Sequence, residues 1–317
     1  MTLPAVLLLE PLHAEARARL NQFASVTELS APGDPLDRLE DGRALDSVAA
    51  IITRGRGRVD ESLLARLSGL RVVARAGVGL DNVDLEAATS RGVWVLNVPD
   101  ALTTTVAEHA LALALAARRR IPAAALAARD GRWDDRTHYS GASVAGARTA
   151  VVGMGAIGTL AAKHFMALGA DVVTWSRTAR DVPGFDPVLE SALDGAAIVS
   201  LHVGLHPETR GLLGGDRLGL LDRGATVVNT ARPGVVDRAA MLAALDAGQV
   251  GAYAVDGFEP EPPEPLDALL QHPGVLVTPH VAALTQETFM NLCMQTVDGV
   301  KDALARREPK GGARRVV

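Results

Sequence analysis

The sequence is poor in the residues that mark several other classes of protein. It has one cysteine, Cys293, among 317 residues, which excludes a disulfide framework and a multi-cysteine zinc cluster. Aromatic residues make up only 3% of the chain, so any core must consist mainly of Ala, Val and Leu. No His, Asp and Glu residues are spaced like metal ligands, and we expect no metal.

Long apolar runs and a strong charge of one sign are also missing. No stretch approaches the roughly 20 apolar residues that cross a bilayer, and the first residues lack the basic start and cleavage site of a signal peptide. The formal net charge of −5 argues against a general nucleic-acid surface. We therefore expect a cytoplasmic protein with neither a membrane nor a nucleic acid as partner.

What the sequence does contain is an alternation of short apolar runs with segments of helical periodicity. This alternation predicts parallel βαβ units, and the length allows about two domains. The expected fold class is α/β, with two doubly wound parallel-sheet domains. Predicted strands lie at 5–9, 48–52, 71–74, 93–96, 149–152, 172–175, 198–201, 226–229, 252–255 and 275–278, and predicted helices at 14–22, 61–67, 84–90, 156–168, 213–221 and 238–247.

Two longer helices, at 103–121 and 286–305, are predicted as crossovers between the domains. The first domain then comprises residues 1–99 and 286–317, and the second comprises residues 100–285. The helix at 103–121 is apolar on so many sides that we expect it in or beside a homodimer interface. The basic, glycine-containing tail at 310–315 is expected to be frayed.

A glycine-rich turn follows the predicted strand 149–152. Gly153, Gly155 and Gly158 form a G-x-G-x-x-G run, which between a strand and a helix is typical of dinucleotide binding. The glycines allow a tight turn, close approach of a pyrophosphate and close helix packing, while the N–H groups at the helix start, including those of Ala156 and Ile157, bind phosphate.

The end of the next strand predicts which dinucleotide binds. An NAD site needs a carboxylate there for the ribose 2′-hydroxyl, but the strand that opens with Asp171 ends in Ser176-Arg177-Thr178. A hydroxyl beside a guanidinium fits the 2′-phosphate, so we predict that NADP(H) is preferred over NAD(H). The alternative is that Arg177 is only a solvated loop residue.

Three further motifs lie where strands of the second domain should end. They contain Arg232, Glu261 and His280, and ligands of open α/β sheets bind at the carboxyl ends of strands. An Arg that grips a carboxylate, a His that donates a proton and a Glu that orients the His suit reduction of a 2-oxo acid. The other polar residues at this edge, His202, Thr230 and Asp256, are candidates for binding the cofactor.

Together with these motifs, the segments 75–84, 97–100, 106–109, 200–203 and 207–211 make the chain resemble the D-isomer-specific 2-hydroxyacid dehydrogenase family. The resemblance implies a Rossmann domain inserted into a flavodoxin-like substrate domain, and a homodimer. It implies that Arg232, Glu261 and His280 are catalytic, and that Val78 and Gly79 lie in the loop that, with Arg232 and His280, binds the substrate.

The Ser176–Thr178 region is similar to the NADP-linked glyoxylate/hydroxypyruvate reductase branch of that family. The implied activity is reduction of a small 2-oxo acid, of the glyoxylate or hydroxypyruvate type, to the D-2-hydroxy acid. Alternatives within the same fold are 3-phosphoglycerate, a branched 2-oxo acid or phosphite as substrate, and a dinucleotide-sensing corepressor-like scaffold.

Several positions near the site stay open at this point. The family's spacing from Asp256 favours Glu261 as the catalytic glutamate, and Glu259 is the alternative. Pro233 replaces the family's usual glycine and biases Arg232 toward an extended backbone. His109 is expected to pack or to support the reacting residues rather than to react itself. Arg54 or Arg56 could reach the substrate, although a solvated basic loop is the more ordinary interpretation.

Overall fold

Both halves of the chain fold as parallel sheets with helical crossovers. The structure is a computed structural model that describes residues 3–29, 45–55 and 57–317. The chain divides into two compact units, Met1–Leu102 with Leu284–Val317, and Thr103–Ala283. We call them the outer unit and the inserted unit, because the second interrupts the first in sequence.

The outer unit has a sheet with the order β12-β5-β4-β3-β1-β2, in which all pairs except β12–β5 are parallel. Without β12 this is the flavodoxin-like order 2-1-3-4-5. Its elements are β1 (Ala5–Leu8), α1 (Ala14–Asn21), β2 (Ser25–Glu28), β3 (Val48–Thr53), α2 (Glu61–Arg66), β4 (Val72–Arg75), α3 (Leu85–Ser90), β5 (Trp94–Asn97), α11 (Gln286–Leu304) and β12 (Arg314–Arg315).

The inserted unit has a wholly parallel sheet with the order β11-β10-β9-β8-β6-β7. Phe185 adds a single parallel bridge to Thr174, which is where the third strand of a Rossmann sheet would pair. Its elements are α4 (Thr103–Arg118), α5 (Ile121–Arg129), β6 (Arg148–Val152), α6 (Ala156–Ala167), β7 (Asp171–Trp175), α7 (Leu189–Leu193), β8 (Ile198–Leu201), α8 (Gly215–Leu218), β9 (Ala225–Asn229), α9 (Arg238–Asp246), β10 (Val250–Asp256), α10 (Ala268–Gln271) and β11 (Val275–Thr278).

The cores are aliphatic, as the scarcity of aromatic residues predicts. In the outer unit, α11 packs Cys293, Val297 and Val300 against Val6 and Leu8, and burial of such a side chain contributes roughly 1.5–3 kcal/mol. In the inserted unit, strands β6, β8, β9 and β10 are buried along most of their length, because helices cover both faces of the sheet.

The expected helix at 103–121 is two helices. Helix α4 ends at Arg118, Arg120 adopts a left-handed backbone with φ of 52°, and Pro122 lies in the first turn of α5. Proline at this position is compatible with a helix start. The expected helix at 213–221 shortens to α8, since Gly214, Gly215 and Gly219 lower helix propensity around it.

The prediction of a frayed tail is wrong. Residues Arg314 and Arg315 pair with Asn97 and Leu96 of β5, and the Arg315 guanidinium lies 4.0 Å above the Trp94 ring. Ala313 is buried against α11, where a Cβ added to Gly299 would lie 2.6 Å from the Ala313 Cβ. A glycine in α11 therefore makes room for the tail.

Candidate active site

The glycine turn connects β6 to α6 at the carboxyl edge of the inserted sheet. Gly153 has φ of 104°, and a Cβ added there would lie 2.6 Å from the carbonyl oxygen of His202. A Cβ on Gly158 would lie 1.8 Å from the carbonyl oxygen of Gly153, whereas a Cβ on Gly155 would meet nothing within 4 Å. The turn therefore needs glycine for packing at two positions and leaves open space at the third, where Ala156 and Ile157 begin α6. This is the shape that a pyrophosphate requires.

The segment after β7 leaves two cations exposed. The Ser176 hydroxyl donates to the Thr178 carbonyl oxygen at 2.6 Å and so closes a short loop. Arg177 and Arg180 are exposed, and neither guanidinium has a hydrogen-bond or ion-pair partner within residues 3–29, 45–55 and 57–317. Asp171 lies at the opposite end of β7, as the sequence predicts.

Two more predicted cofactor residues lie at the same sheet edge: His202 beside the turn, and Thr230 directly after β9. Desolvation lowers the pKa of His202 to about 4, and its Nε2 lies 2.9 Å from the Ser200 hydroxyl oxygen. The Thr230 hydroxyl is buried and has no hydrogen-bond partner in the described chain. An orphaned buried hydroxyl at the edge that carries the glycine turn fits a polar ligand there, so these residues suit a bound dinucleotide.

Arg232 follows β9 and is held by Asn229. The Ala231 N–H donates to the Asn229 side-chain oxygen at 3.0 Å, and the Asn229 amide donates to the Arg232 carbonyl oxygen at 2.9 Å. Arg232 has φ of −141° and ψ of 140°, followed by a 3₁₀ turn at Pro233–Val235. The extended backbone expected before Pro233 is confirmed.

His280 pairs with Glu261 across the same sheet edge. The distance from His280 Nδ1 to a Glu261 carboxylate oxygen is 3.3 Å, and the two side chains are 50% and 49% exposed. Glu259 instead supplies its backbone carbonyl oxygen to Arg238. The pairing uses Nδ1 of the ring, so Nε2 is the atom that can give a proton to a ligand.

The loop that carries His280 is held by a buried carboxylate. Asp256, whose side chain is 2% exposed, accepts hydrogen bonds from the Val281 and Ala282 N–H groups at 2.8 Å each. It also accepts from the Thr278 hydroxyl at 2.6 Å, and that hydroxyl lies 3.1 Å from His109 Nε2. The sequence predicts that Asp256 contacts the cofactor; in the structure its carboxylate holds this loop.

The outer unit presents backbone groups at its own strand ends. The Val78 carbonyl oxygen accepts from the Asn97 amide at 2.9 Å, and Gly77 has φ of 149° above the Arg75 guanidinium. Within the ranges that the structure describes, the N–H groups of Val78 and Gly79 donate no hydrogen bond. They are therefore available to an acceptor such as a carboxylate.

The neighbouring loop of the outer unit is held by its own polar residues. Glu10 accepts hydrogen bonds from the Arg54 N–H and from the Gly57 N–H, and Asn82 donates to the Gly57 carbonyl oxygen at 2.7 Å. The Arg54 guanidinium lies 4.4 Å above the Phe289 ring. Arg56, the other candidate for a substrate contact, lies outside the described residues.

Among the residues that the structure describes, no group of three His, Cys, Asp or Glu side chains could hold a metal ion. The helices of the described residues are all too short or too polar to span a membrane.

Comparison with known proteins identifies the family. Residues 111–282 match the sequence profile of the D-isomer specific 2-hydroxyacid dehydrogenase, NAD binding domain. The chain therefore belongs to the D-isomer specific 2-hydroxyacid dehydrogenase family, as its motifs suggest, and the two parallel-sheet units are the fold expected of it.

Relatives differ in what their names say they act on. A D-3-phosphoglycerate dehydrogenase of Archaeoglobus fulgidus is 36% identical over 294 residues, which are 91% of this chain and 55% of the relative. The chain thus spans about half the length of that relative. The crystal structure of a Thermus thermophilus protein is 35% identical, with a TM-score of 0.90 and coverage of 99% of this chain and 100% of that one. An NADPH-dependent glyoxylate/hydroxypyruvate reductase of Sinorhizobium meliloti, solved with NADP and malonate, is 28% identical, with a TM-score of 0.87 and coverage of 99% and 97%.

Proposed function

We propose that the protein is an NAD(P)H-dependent reductase that converts a small 2-oxo acid to the D-2-hydroxy acid. The observation that carries the proposal is the 3.3 Å contact between His280 Nδ1 and Glu261, at the sheet edge that also carries Arg232 and the glycine turn. The inserted unit binds the cofactor, and the outer unit binds substrate through the Val78 and Gly79 N–H groups.

The side chains divide the reaction among them. Arg232 pairs with the substrate carboxylate and polarises the neighbouring carbonyl group. A reduced nicotinamide bound beside these residues would supply the hydride that the carbonyl carbon takes up. Glu261 accepts a hydrogen bond from the Nδ1–H group of His280 and so orients the ring. The Nε2 atom then donates its proton to the carbonyl oxygen of the substrate. The hydroxyl group of the product forms at that oxygen.

The substrate is proposed to be of the glyoxylate or hydroxypyruvate type, as the name of the Sinorhizobium meliloti neighbour suggests. The second candidate is the substrate of 3-phosphoglycerate dehydrogenases, which the 36% identity to such a relative favours. A panel of glyoxylate, hydroxypyruvate, 3-phosphohydroxypyruvate and a branched 2-oxo acid, followed by absorbance of the reduced cofactor, decides between them. No turnover with any of the four acids would contradict the proposal and favour a dinucleotide-sensing scaffold.

The site assignment has matched controls in the inserted unit. Arg232→Ala should raise KM and lower kcat, whereas Arg223→Ala, whose guanidinium bonds the Ala247 carbonyl oxygen away from the site, should leave both unchanged. Glu261→Gln should lower kcat about tenfold, since one charge-assisted hydrogen bond to His280 is weakened. Glu259→Gln should be neutral, and equal effects of the two glutamine variants would contradict the choice of Glu261.

We propose that NADPH is preferred over NADH, supported by the exposed Arg177 and by Ser176 at the place of the usual carboxylate. A hydrogen bond to a charged group contributes about 1.5–3 kcal/mol, so the preference in kcat/KM should be roughly 10- to 150-fold. The double variant Ser176→Asp with Arg177→Ala should reverse it and retain activity. Equal use of both cofactors by the wild type would refute this part alone.

We also propose a homodimer in the cytoplasm. Apolar side chains stay exposed on α5 and just after it, with Ile121 at 53%, Leu126 at 59% and Trp133 at 72%, and a second copy of this chain would cover them. The single cysteine suits a reducing compartment. Light scattering should give twice the chain mass at micromolar concentration, and a monomer mass would contradict the dimer.

A further inference from the structure

The hydrogen-bond directions around Thr278 fix the role of a histidine on α4. An ionised carboxylate accepts hydrogen bonds and cannot donate. The 2.6 Å contact between Thr278 and Asp256 must therefore use the only hydrogen of the Thr278 hydroxyl. The contact of the same oxygen with His109 Nε2 at 3.1 Å must then be donated by the histidine.

His109 consequently lies at the start of a chain of donors that ends at the His280 loop. Its Nε2–H donates to Thr278, Thr278 donates to Asp256, and Asp256 holds the N–H groups of Val281 and Ala282. The His280 backbone has φ of 57°, a left-handed conformation that a non-glycine residue keeps only when its surroundings hold it. Its own N–H donates to the Thr278 carbonyl oxygen at 2.9 Å.

We infer that His109 is a positioning residue: through its Nε2–H it fixes the Thr278 hydroxyl on Asp256, and thereby the loop that aims His280 at the substrate. The inference rests on the proposed role of His280 as proton donor. The His109 side chain is mostly buried, with 23% exposed. Its backbone belongs to α4, and its ring contacts the Thr278 hydroxyl. A small displacement of a proton donor is costly, because proton transfer requires hydrogen-bond distance.

The test compares two replacements of different chemistry. His109→Leu introduces an apolar side chain of similar size and removes the donor. His109→Gln instead offers an amide N–H group in place of Nε2–H. We expect His109→Leu to lower kcat about tenfold, the factor that one ordinary hydrogen bond is worth. KM and the Kd of the reduced cofactor should stay within about twofold, and His109→Gln should recover most of kcat.

Solvent isotope effects separate positioning from general loosening of the fold. A misplaced His280 makes proton transfer more nearly rate-limiting, so the D₂O effect on kcat should increase in His109→Leu and return toward the wild-type value in His109→Gln. A His109→Leu variant with wild-type kcat and isotope effect overturns the inference. So does a His109→Gln variant as impaired as the leucine one, since the donor would then not matter.

A second variant and a measurement without turnover complete the test. Thr278→Val removes the shared hydroxyl, and in combination with His109→Leu it should add almost no further loss, because both break one chain. In ¹⁵N-histidine spectra, the His109 resonance should show hydrogen on Nε2; hydrogen on Nδ1 alone would overturn the inference. If His280→Ala remains active, the proposed function fails instead, and the spectra still report on His109.

Discussion

The two sheets share parallel strands and helical crossovers, yet their carboxyl edges offer different groups. In the inserted unit the edge exposes side chains, including His280, Glu261 and Arg177. In the outer unit the side chains Glu10, Thr53 and Asn82 hold one loop, and the N–H groups of Val78 and Gly79 donate no hydrogen bond to any described residue. The comparison teaches that what a strand edge can bind depends on whether the fold leaves side chains or backbone N–H groups accessible there.

The largest contrast is expected between histidines at the two edges. His280→Ala should lower kcat by about 100-fold or more, since it removes the proposed proton donor. His13→Ala, at the carboxyl edge of the outer sheet where the ring packs edge-on against Phe289, should change kcat less than about threefold. Steady-state kinetics of the two variants check this. Similar losses in both would mean that the edges are not chemically different.

The next effect concerns the buried histidine of the inserted unit. His202 takes a proton near pH 6.5 when the chain is unfolded, but its pKa in the folded unit is about 4. Its contribution to stability is thus complete above pH 6.5 and is lost as the pH falls from there toward 4. Between pH 7.5 and pH 5 the wild type should lose about 2 kcal/mol that His202→Gln does not lose, as measured by urea unfolding. Parallel pH profiles of the two proteins would count against it.

A smaller effect is expected from the polar network of the outer unit. Asn82→Ala removes the hydrogen bonds to Thr53 and to the Gly57 carbonyl oxygen, and should let the loops after β3 and β4 shift. We expect KM for the 2-oxo acid to rise about tenfold, while the Kd of NADPH stays the same because the glycine turn belongs to the inserted unit. A change in the Kd of NADPH with an unchanged KM would contradict the proposal that the outer unit binds the substrate and the inserted unit binds the cofactor.

The smallest effect concerns β12, the antiparallel strand of the outer sheet. In a helix, Gly→Ala usually stabilises by about 1 kcal/mol. At Gly299 the added Cβ would lie 2.6 Å from the Cβ of Ala313, so we expect Gly299→Ala to destabilise by about 1 kcal/mol instead. The double variant with Ala313→Gly should recover the loss. Thermal unfolding of the wild type, the single variant and the double variant measures this. A Gly299→Ala variant more stable than the wild type would show that the packing of Ala313 does not require glycine at position 299.

The sequence supports prediction of those parts of the site that follow from strand order. Residues placed directly after successive parallel strands must share one edge, which is why Arg232 and His280 are predicted to be close and why Glu261 is favoured by its spacing from Asp256. The β12 strand is not predictable in the same way. Its position depends on the space that Gly299 of α11 leaves for Ala313, and the sequence does not show how α11 packs. The partner of His109 is hidden too, since helical spacing shows which face a residue occupies but not what that face meets.

The insertion of one unit into the other has a consequence for how the chain folds during synthesis. The inserted unit is one continuous stretch, Thr103–Ala283, so it can close its core as soon as that stretch leaves the ribosome. The first 102 residues cannot do so, because Val6, Leu8 and Ala50 pack against Cys293, Val297 and Val300 of α11. The usual order is therefore reversed: the unit whose synthesis begins first completes its core last, and the apolar face that α11 covers stays exposed until α11 has been synthesised.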